Sequence, residues 1–208
     1  MRLGLVTDVH NAHAELAKAL ELFRVRQVDQ VVTIGDTCDA FAPPEGCDEV
    51  ASLLSECGAI GVWGNHDFGL CHEISDYCRE RFGSATFDFM QQMRPQLEID
   101  GCLFSHKDAS VDAHDVEQLW DIEDGSRDLN ARAKAGLGAN SNRRQFIGHY
   151  HCWWAASPDG PIDWDGTEPL LLRPEERYFV IVAAVFQGSC AVFDTKTGVL
   201  EPLNYGHK

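Results

Sequence analysis

Basic residues are scarce in this chain of 208 residues: 17 lysines and arginines stand against 33 acids, for a net charge of −16. That balance repels polyanions, so a basic nucleic-acid-binding face is not expected. No run approaches the ~18 apolar residues that a membrane span needs, and no membrane association is expected. Eight cysteines are present, but no CxxC pair and no short-spaced cluster, so a zinc knuckle is excluded. They are expected to act as small buried hydrophobes. The N-terminal apolar run is too short for a signal-peptide core and has no small-residue cleavage site, so the expected location is cytoplasmic. Internal repeats and low-complexity segments are also missing. The length suits one sizeable core better than two, and a single domain is expected over residues 1–208.

What is present alternates. Leu3 to Thr7 reads as a strand, and residues 12–26 as a helix with Leu16, Leu20 and Phe23 on one face. Val31–Ile34 and Ile60–Trp63 read as buried strands, and residues 46–57 and 70–82 as helices. This βαβαβα order predicts a mostly parallel sheet covered by helices. Beyond residue 95, Leu97–Ile99 and Cys102–Phe104 flank Asp100-Gly101, a strong hairpin signal. Helices are expected over 112–119 and 126–137, and a short strand over Gln145–Ile147. Residues 155–169 are dense in Pro, Gly and Asp and are expected to form a long loop. Tyr178–Phe186, Cys190–Phe193 and a Thr197-Gly198 turn predict a closing antiparallel set. The expected fold class is α/β, with a parallel-type first half and an antiparallel second half.

The polar residues that matter sit at the ends of these strands. Asp8 and His10 follow the first strand, Gly35-Asp36 and then Asp39 the second, and Gly64-Asn65-His66-Asp67 the third. His106 follows the second hairpin strand, and Gly148-His149-Tyr150-His151 the strand after residue 143. Each piece taken singly is an ordinary turn or surface histidine. Five strand ends each carrying a metal-capable or acid-base side chain are not ordinary, because ligands of α/β sheets gather at the carboxyl ends of the strands. Asp8 and His10, and likewise His149 and His151, are two apart; in extended chain each pair projects from one face, roughly 7 Å apart. Two metal ions ~3.5–4 Å apart could lie between such pairs, with the two oxygens of Asp36 serving both. Histidine nitrogens, two aspartates and the Asn65 amide oxygen form a mixed donor set that suits manganese, iron or zinc better than calcium or magnesium.

The ordered series DVH, GDTCD, GNHD, a lone histidine after a hairpin strand, and GHYH resembles the signature of the calcineurin-like metallophosphoesterases from Asp8 to His151. The resemblance implies a two-sheet sandwich flanked by helices (α/β/β/α) and a two-metal hydrolytic centre. Carried over by position, it implies a first metal on Asp8, His10, Asp36 and His151, and a second on Asp36, Asn65, His106 and His149. Two divalent ions, with Mn²⁺ the foremost choice and Fe or Zn as others, would provide a bridging hydroxide that attacks phosphorus. His66 matches the family's proton donor to the leaving alkoxide, and Asp39 the carboxylate that orients it. Asp67 is not placed by the resemblance; holding the turn is the one use the sequence suggests for it.

Some positions depart from the family pattern. Asn11 stands where glycine is frequent, a tolerable change because Asn also visits left-handed angles. Lys107 follows His106 where glycine is usual, and could reach a phosphate oxygen. Trp63 and Phe41 stand near positions where the protein phosphatases of the family have phosphate-gripping arginines, which argues against a phosphoprotein substrate. No insertion long enough for a cap is visible, so an open site with a slight preference for phosphodiesters is expected. The substrate is expected to be a small phosphoester, nucleotide-like if Trp153, Trp154 and Trp164 stack on a base; packing is the commoner use of tryptophan. A phosphomonoesterase, a mononuclear hydrolase and a non-catalytic scaffold stay open as alternatives.

Overall fold

Runs such as Leu3-Gly4-Leu5-Val6 and Tyr178-Phe179-Val180-Ile181 contain no charged position, so neither face of these strands can be left in water. The computed structural model, which describes residues 1–120 and 128–206, solves this by stacking two sheets between layers of helix. In chain order, β1 (Arg2–Val6), α1 (His13–Val25), β2 (Gln30–Ile34), α2 (Cys47–Glu56) and β3 (Ile60–Val62) alternate as the sequence predicts. Three short helices follow, α3 (Phe68–Cys71), α4 (Asp76–Arg81) and α5 (Ser84–Met90), and then the hairpin β4 (Leu97–Ile99) and β5 (Cys102–Phe104). The remainder is α6 (Val116–Trp120), α7 (Leu129–Ala139), β6 (Arg144–Ile147), β7 (Trp154–Ser157), β8 (Gly160–Pro161), β9 (Leu170–Leu171), β10 (Tyr178–Ile181), β11 (Ser189–Asp194) and β12 (Val199–Asn204).

One sheet runs β3-β2-β1-β11-β12-β9 and the other β4-β5-β6-β10-β7-β8. Both are mixed. β1, β2 and β3 are parallel, and β11 closes antiparallel against β1. The antiparallel character expected of the second half is partial, because β5, β6 and β10 form a parallel triplet of their own. The helices α6 and α7 lie in the crossover between β5 and β6, which returns the chain in the same direction. Strand alternation then divides the side chains: Leu3, Leu5, Val32, Ile34 and Phe193 of one sheet meet Phe104, Phe146 and Val180 of the other. The opposite face of the first sheet packs on α1 and α2 through Phe23, Val31, Val50 and Leu54. A Cβ at Gly4 would lie 2.6 Å from the Phe23 ring, so glycine lets α1 approach the sheet closely. Ala133 and Leu137 of α7 cover Ile147, Phe179 and Ile181 on the outer face of the second sheet.

Local expectations fail in four places. The helix expected over 70–82 breaks at His72–Ser75, where Glu73 adopts a positive φ of 51° and Ser75 caps α4 by accepting from the Cys78 N–H at 3.2 Å. The helix α5 was not anticipated. Residues 155–169 are not all loop: Ala155 and Ala156 pair with β10, and Ser157 to Gly160 turn into β8. Burial of two small residues against a central strand overrides their weak strand preference. The run from Tyr178 stops at Ile181, and a 3₁₀ turn occupies Val185–Gln187. The start of the expected helix at 126–127 lies outside the described residues. Among the described residues, no helix is long and apolar enough to cross a membrane.

Candidate metal centre

Every strand end singled out from the sequence meets at one edge of the sandwich. The backbone that does this is unusual. Asp8, His10, Asn11, Asp36, His149 and His151 all have positive φ, between 46° and 69°. The pairs Asp8/His10 and His149/His151 are therefore not in extended chain, as their spacing suggested. Left-handed angles in non-glycine residues cost of order 1–3 kcal/mol each and persist where the surrounding structure imposes them. Asp, Asn and His tolerate them best, and those are the residue types present.

The left-handed turns fold the side chains onto two groups. In the first, His151 Nε2 lies 3.1 Å and His10 Nε2 3.9 Å from Asp8 Oδ1. In the second, His106 Nε2 lies 3.1 Å from Asp36 Oδ2, and the Asn65 Oδ1 amide oxygen lies 3.1 Å from His106 Nε2 and 3.0 Å from His149 Nδ1. Within Asp8/His10/His151 and within Asp36/His106/His149 the candidate ligand atoms all lie within 4.8 Å of one another. Asp36 stands between the groups, since its Oδ2 is also 3.8 Å from His10 Nε2. A third triplet, His10/Asp39/His66, meets the same distance criterion.

Supporting contacts fix these atoms. Asp8 Oδ2 accepts from the Thr7 hydroxyl at 2.7 Å and from the His149 N–H at 3.0 Å, leaving Oδ1 to face the histidines. His106 Nδ1 bonds the Ile34 carbonyl at 2.8 Å, which leaves Nε2 to point inward. His10 Nε2 is buried without any hydrogen-bond partner. An unmatched buried polar atom is costly, and here it lies between two carboxylates. A cation at that point would satisfy it, and the donors around it are those of a transition-metal site, so the residues fit a metal.

The electrostatics carry the same sign. Burial opposes ionisation of Asp36, yet the adjacent His106 holds its carboxyl well below the usual carboxylate range. Burial likewise opposes a charge on His106, and Asp36 outweighs it, raising that imidazole to about 9. Burial and the neighbouring His106 push His149 down to about 3, so it stays neutral with a lone pair to donate. His10 is raised: burial pulls it down, but Asp39, Asp36 and Asp8 prevail.

A search of curated proteins gives no match to the sequence. The calcineurin-like phosphoesterase superfamily domain matches residues 1–160. The chain belongs to that superfamily. It is thus a metal-dependent phosphoric ester hydrolase of the calcineurin-like class. Solved structures agree on the fold. A metallophosphoesterase from Sphaerobacter thermophilus superposes with a TM-score of 0.77 at 18% identity, covering 100% of this chain and 90% of that one. An archaeal phosphodiesterase matches with a TM-score of 0.52 at 14% identity over 98% and 99% of the two chains. The phosphoesterase YfcE from E. coli matches with a TM-score of 0.50 at 17% identity over 98% of each.

Around the phosphoesterase centre, other residues fall into roles that the sequence left open. Asp67 is buried, and its carboxylate accepts from the backbone N–H groups of Thr37, Cys38 and Gly64 at 3.2, 2.8 and 3.0 Å. It ties the GNHD turn to the loop after β2. Burial and the Asp36 charge push its carboxyl up to about 7, against those three donors. Asn11 accepts from the Asp39 N–H at 2.9 Å and donates to the Pro43 carbonyl at 3.1 Å. Lys107 is buried, and its ammonium donates to the Gln118 carbonyl of α6 at 2.9 Å instead of reaching for a phosphate oxygen. The three tryptophans after His151 pack. Trp153 and Trp164 contact each other at 5.6 Å and donate to Asn204 and Glu168, while Trp154 meets Phe179. Their use for base stacking is not supported. Sequence reasoning missed the aromatics that do border the centre: Phe186, with ring centroids 5.5 Å from His10 and 5.0 Å from His151, and Trp120, 4.8 Å from His66.

Gly64 opens the turn for Asp36. A Cβ there would lie 2.2 Å from Asp36 Oδ1 and 2.6 Å from its backbone nitrogen. Gly64→Ala is expected to cost about 1–3 kcal/mol, the usual price of overpacking. Urea unfolding of the two proteins checks it; an unchanged midpoint would show that the turn can move aside.

Proposed function

We propose that the chain is a binuclear phosphoesterase that cleaves phosphodiesters in preference to monoesters. The observation that carries this reading is the separation of the ligand atoms into Asp8/His10/His151 and Asp36/His106/His149, with Asp36 reaching toward both. In this reading Asp8, His10, Asp36 and His151 hold one ion, and Asp36, Asn65, His106 and His149 the other. When bound, the ions, with manganese first and iron or zinc next, neutralise charge on the phosphoryl oxygens and make water available as a nucleophile near neutral pH.

The remaining work falls to side chains. His66 Nδ1 lies 3.1 Å from Asp39 Oδ2, at ion-pair distance without hydrogen-bond alignment, so in this reading the ring's other nitrogen, Nε2, is the proton donor. As the water oxygen bonds to phosphorus, having given up a proton to solvent, the bond to the ester oxygen breaks. His66 passes its proton to that oxygen and regains one from solvent after the alcohol leaves. Asp39 Oδ1 accepts from the Phe41 and Ala42 N–H groups at 2.9 and 3.1 Å, which fixes Oδ2 against the imidazole. The carboxylate is held well below its ordinary range: burial opposes this, and contacts with His10 and His66 prevail.

The preference for diesters is supported by Lys107, whose ammonium binds a carbonyl and so does not compensate the second charge of a monoester. Residues 1–208 are taken as one domain, because β11 and β12 lie beyond the matched residues and yet complete the sheet that carries β1. With Mn²⁺ added, kcat/KM for bis(4-nitrophenyl) phosphate is expected to exceed that for 4-nitrophenyl phosphate. The reverse order would make the protein a monoesterase, and hydrolysis of neither would favour a scaffold.

A further inference from the structure

Phe41 is held out in solvent by a loop that has no freedom to bury it. Its N–H donates to Asp39 Oδ1, the Ala40 N–H donates to the His66 carbonyl at 3.0 Å, and Arg81 of α4 clamps the carbonyls of Ala40 and Ala42 at 3.3 and 2.8 Å. The neighbours Cys38 and Ala40 are buried, whereas Phe41 remains 64% exposed. Trp120, at the end of α6, comes up beside it. The two rings are 5.4 Å apart and inclined at 73°, so they form a corner rather than a stack. His66 closes the corner, 6.0 Å from Phe41 and 4.8 Å from Trp120.

We propose that this corner binds a flat aromatic or heteroaromatic ring on the leaving group of the substrate. The inference rests on the phosphoesterase reading and adds to it the class of ester cleaved. If His66 protonates the leaving oxygen, whatever that oxygen carries must lie beside the His66 ring, where, among the described residues, the aromatic side chains besides His10 are Phe41 and Trp120. Two ring faces near a right angle let one planar group lie against one face and present its edge to the other, the arrangement aromatic rings prefer. Phe186 flanks His10 and His151 on the other group of ligands and takes no part in this corner. An aryl leaving group, or a nucleoside that carries a planar base, gains from such faces, and a branched aliphatic one of the same acidity does not.

The test uses two diesters that share a methyl group, one with phenol and one with a fluorinated alcohol of matched acidity as leaving group. The wild-type protein loaded with Mn²⁺ is expected to prefer the phenyl ester. Phe41→Ala is expected to lower its kcat/KM for the phenyl ester about tenfold or more, mainly through KM, and to leave the alkyl ester unchanged. Phe41→Trp is expected to restore the preference, and Trp120→Ala to reproduce the loss. Because Phe41 is exposed, its variants test the proposal even if Trp120→Ala does not fold. Equal loss on both esters would overturn the proposal, since Phe41 would then act only by positioning Asp39; no loss on either would also overturn it. A wild-type protein that cleaves both esters without preference sinks this inference alone. One that cleaves neither sinks the phosphoesterase reading, and this one with it.

Discussion

His66→Ala is expected to lower kcat by about 100-fold or more on an ester with an alkoxide leaving group, and to leave the metal content unchanged. The structure separates the two roles of this residue. Its backbone N–H donates to Asp36 Oδ1 at 2.8 Å, a bond that alanine keeps, so the turn and the Asp36 carboxylate stay in register. What alanine removes is the imidazole, which contacts Asp39 at 3.1 Å and lies 4.6 Å from His10 ring to ring. An alkoxide needs a proton as the bond to phosphorus breaks, whereas a nitrophenolate leaves unassisted. The defect should therefore shrink on nitrophenyl esters. Equal loss on both kinds of ester, together with loss of bound metal, would make His66 a ligand, as the His10/Asp39/His66 triplet allows.

Asp36→Asn is expected to weaken both metal ions together, each by about 100-fold or more, since even partners that only orient metal ligands are worth 10–100-fold in affinity. Asp36 is 1% exposed, and its Oδ2 alone faces both His106 at 3.1 Å and His10 at 3.8 Å, whereas Oδ1 accepts from the His66 N–H, so the two oxygens are not divided between the two groups as the sequence suggests. The amide keeps the shape and removes the charge. It also relieves the repulsion that raises Asp67, so the fold is expected to survive, which circular dichroism checks. Titration with Mn²⁺ followed by metal analysis reads the affinity. If one ion were lost and the other retained, Asp36 would belong to a single site.

Much of this centre is legible in the sequence because its donors follow short buried strands and alternate with glycine, as at Gly35-Asp36 and Gly64-Asn65. The expected convergence follows from the donors standing at the carboxyl ends of strands, and the strands themselves are visible in the periodicity. The geometry that delivers it was not legible: Asp8, His10, His149 and His151 take left-handed angles that spacing alone does not announce. The break at His72–Ser75 was hidden because the apolar residues around it fit a continuous helix, and only Glu73 and the Ser75 cap interrupt it. Trp120 lies 54 positions from His66 in the chain, and its arrival beside that ring is a property of tertiary packing. The role of Lys107, left open by the sequence, depends in the same way on packing, since its partner Gln118 belongs to a helix expected over 112–119 that begins at Val116.

The most direct test of the centre is an anomalous difference map from crystals grown with Mn²⁺. Two peaks ~3.5–4 Å apart are expected, one among Asp8, His10 and His151 and the other among Asn65, His106 and His149, with Asp36 between them. A single peak, or a peak enclosed by His10, Asp39 and His66, would contradict the binuclear account.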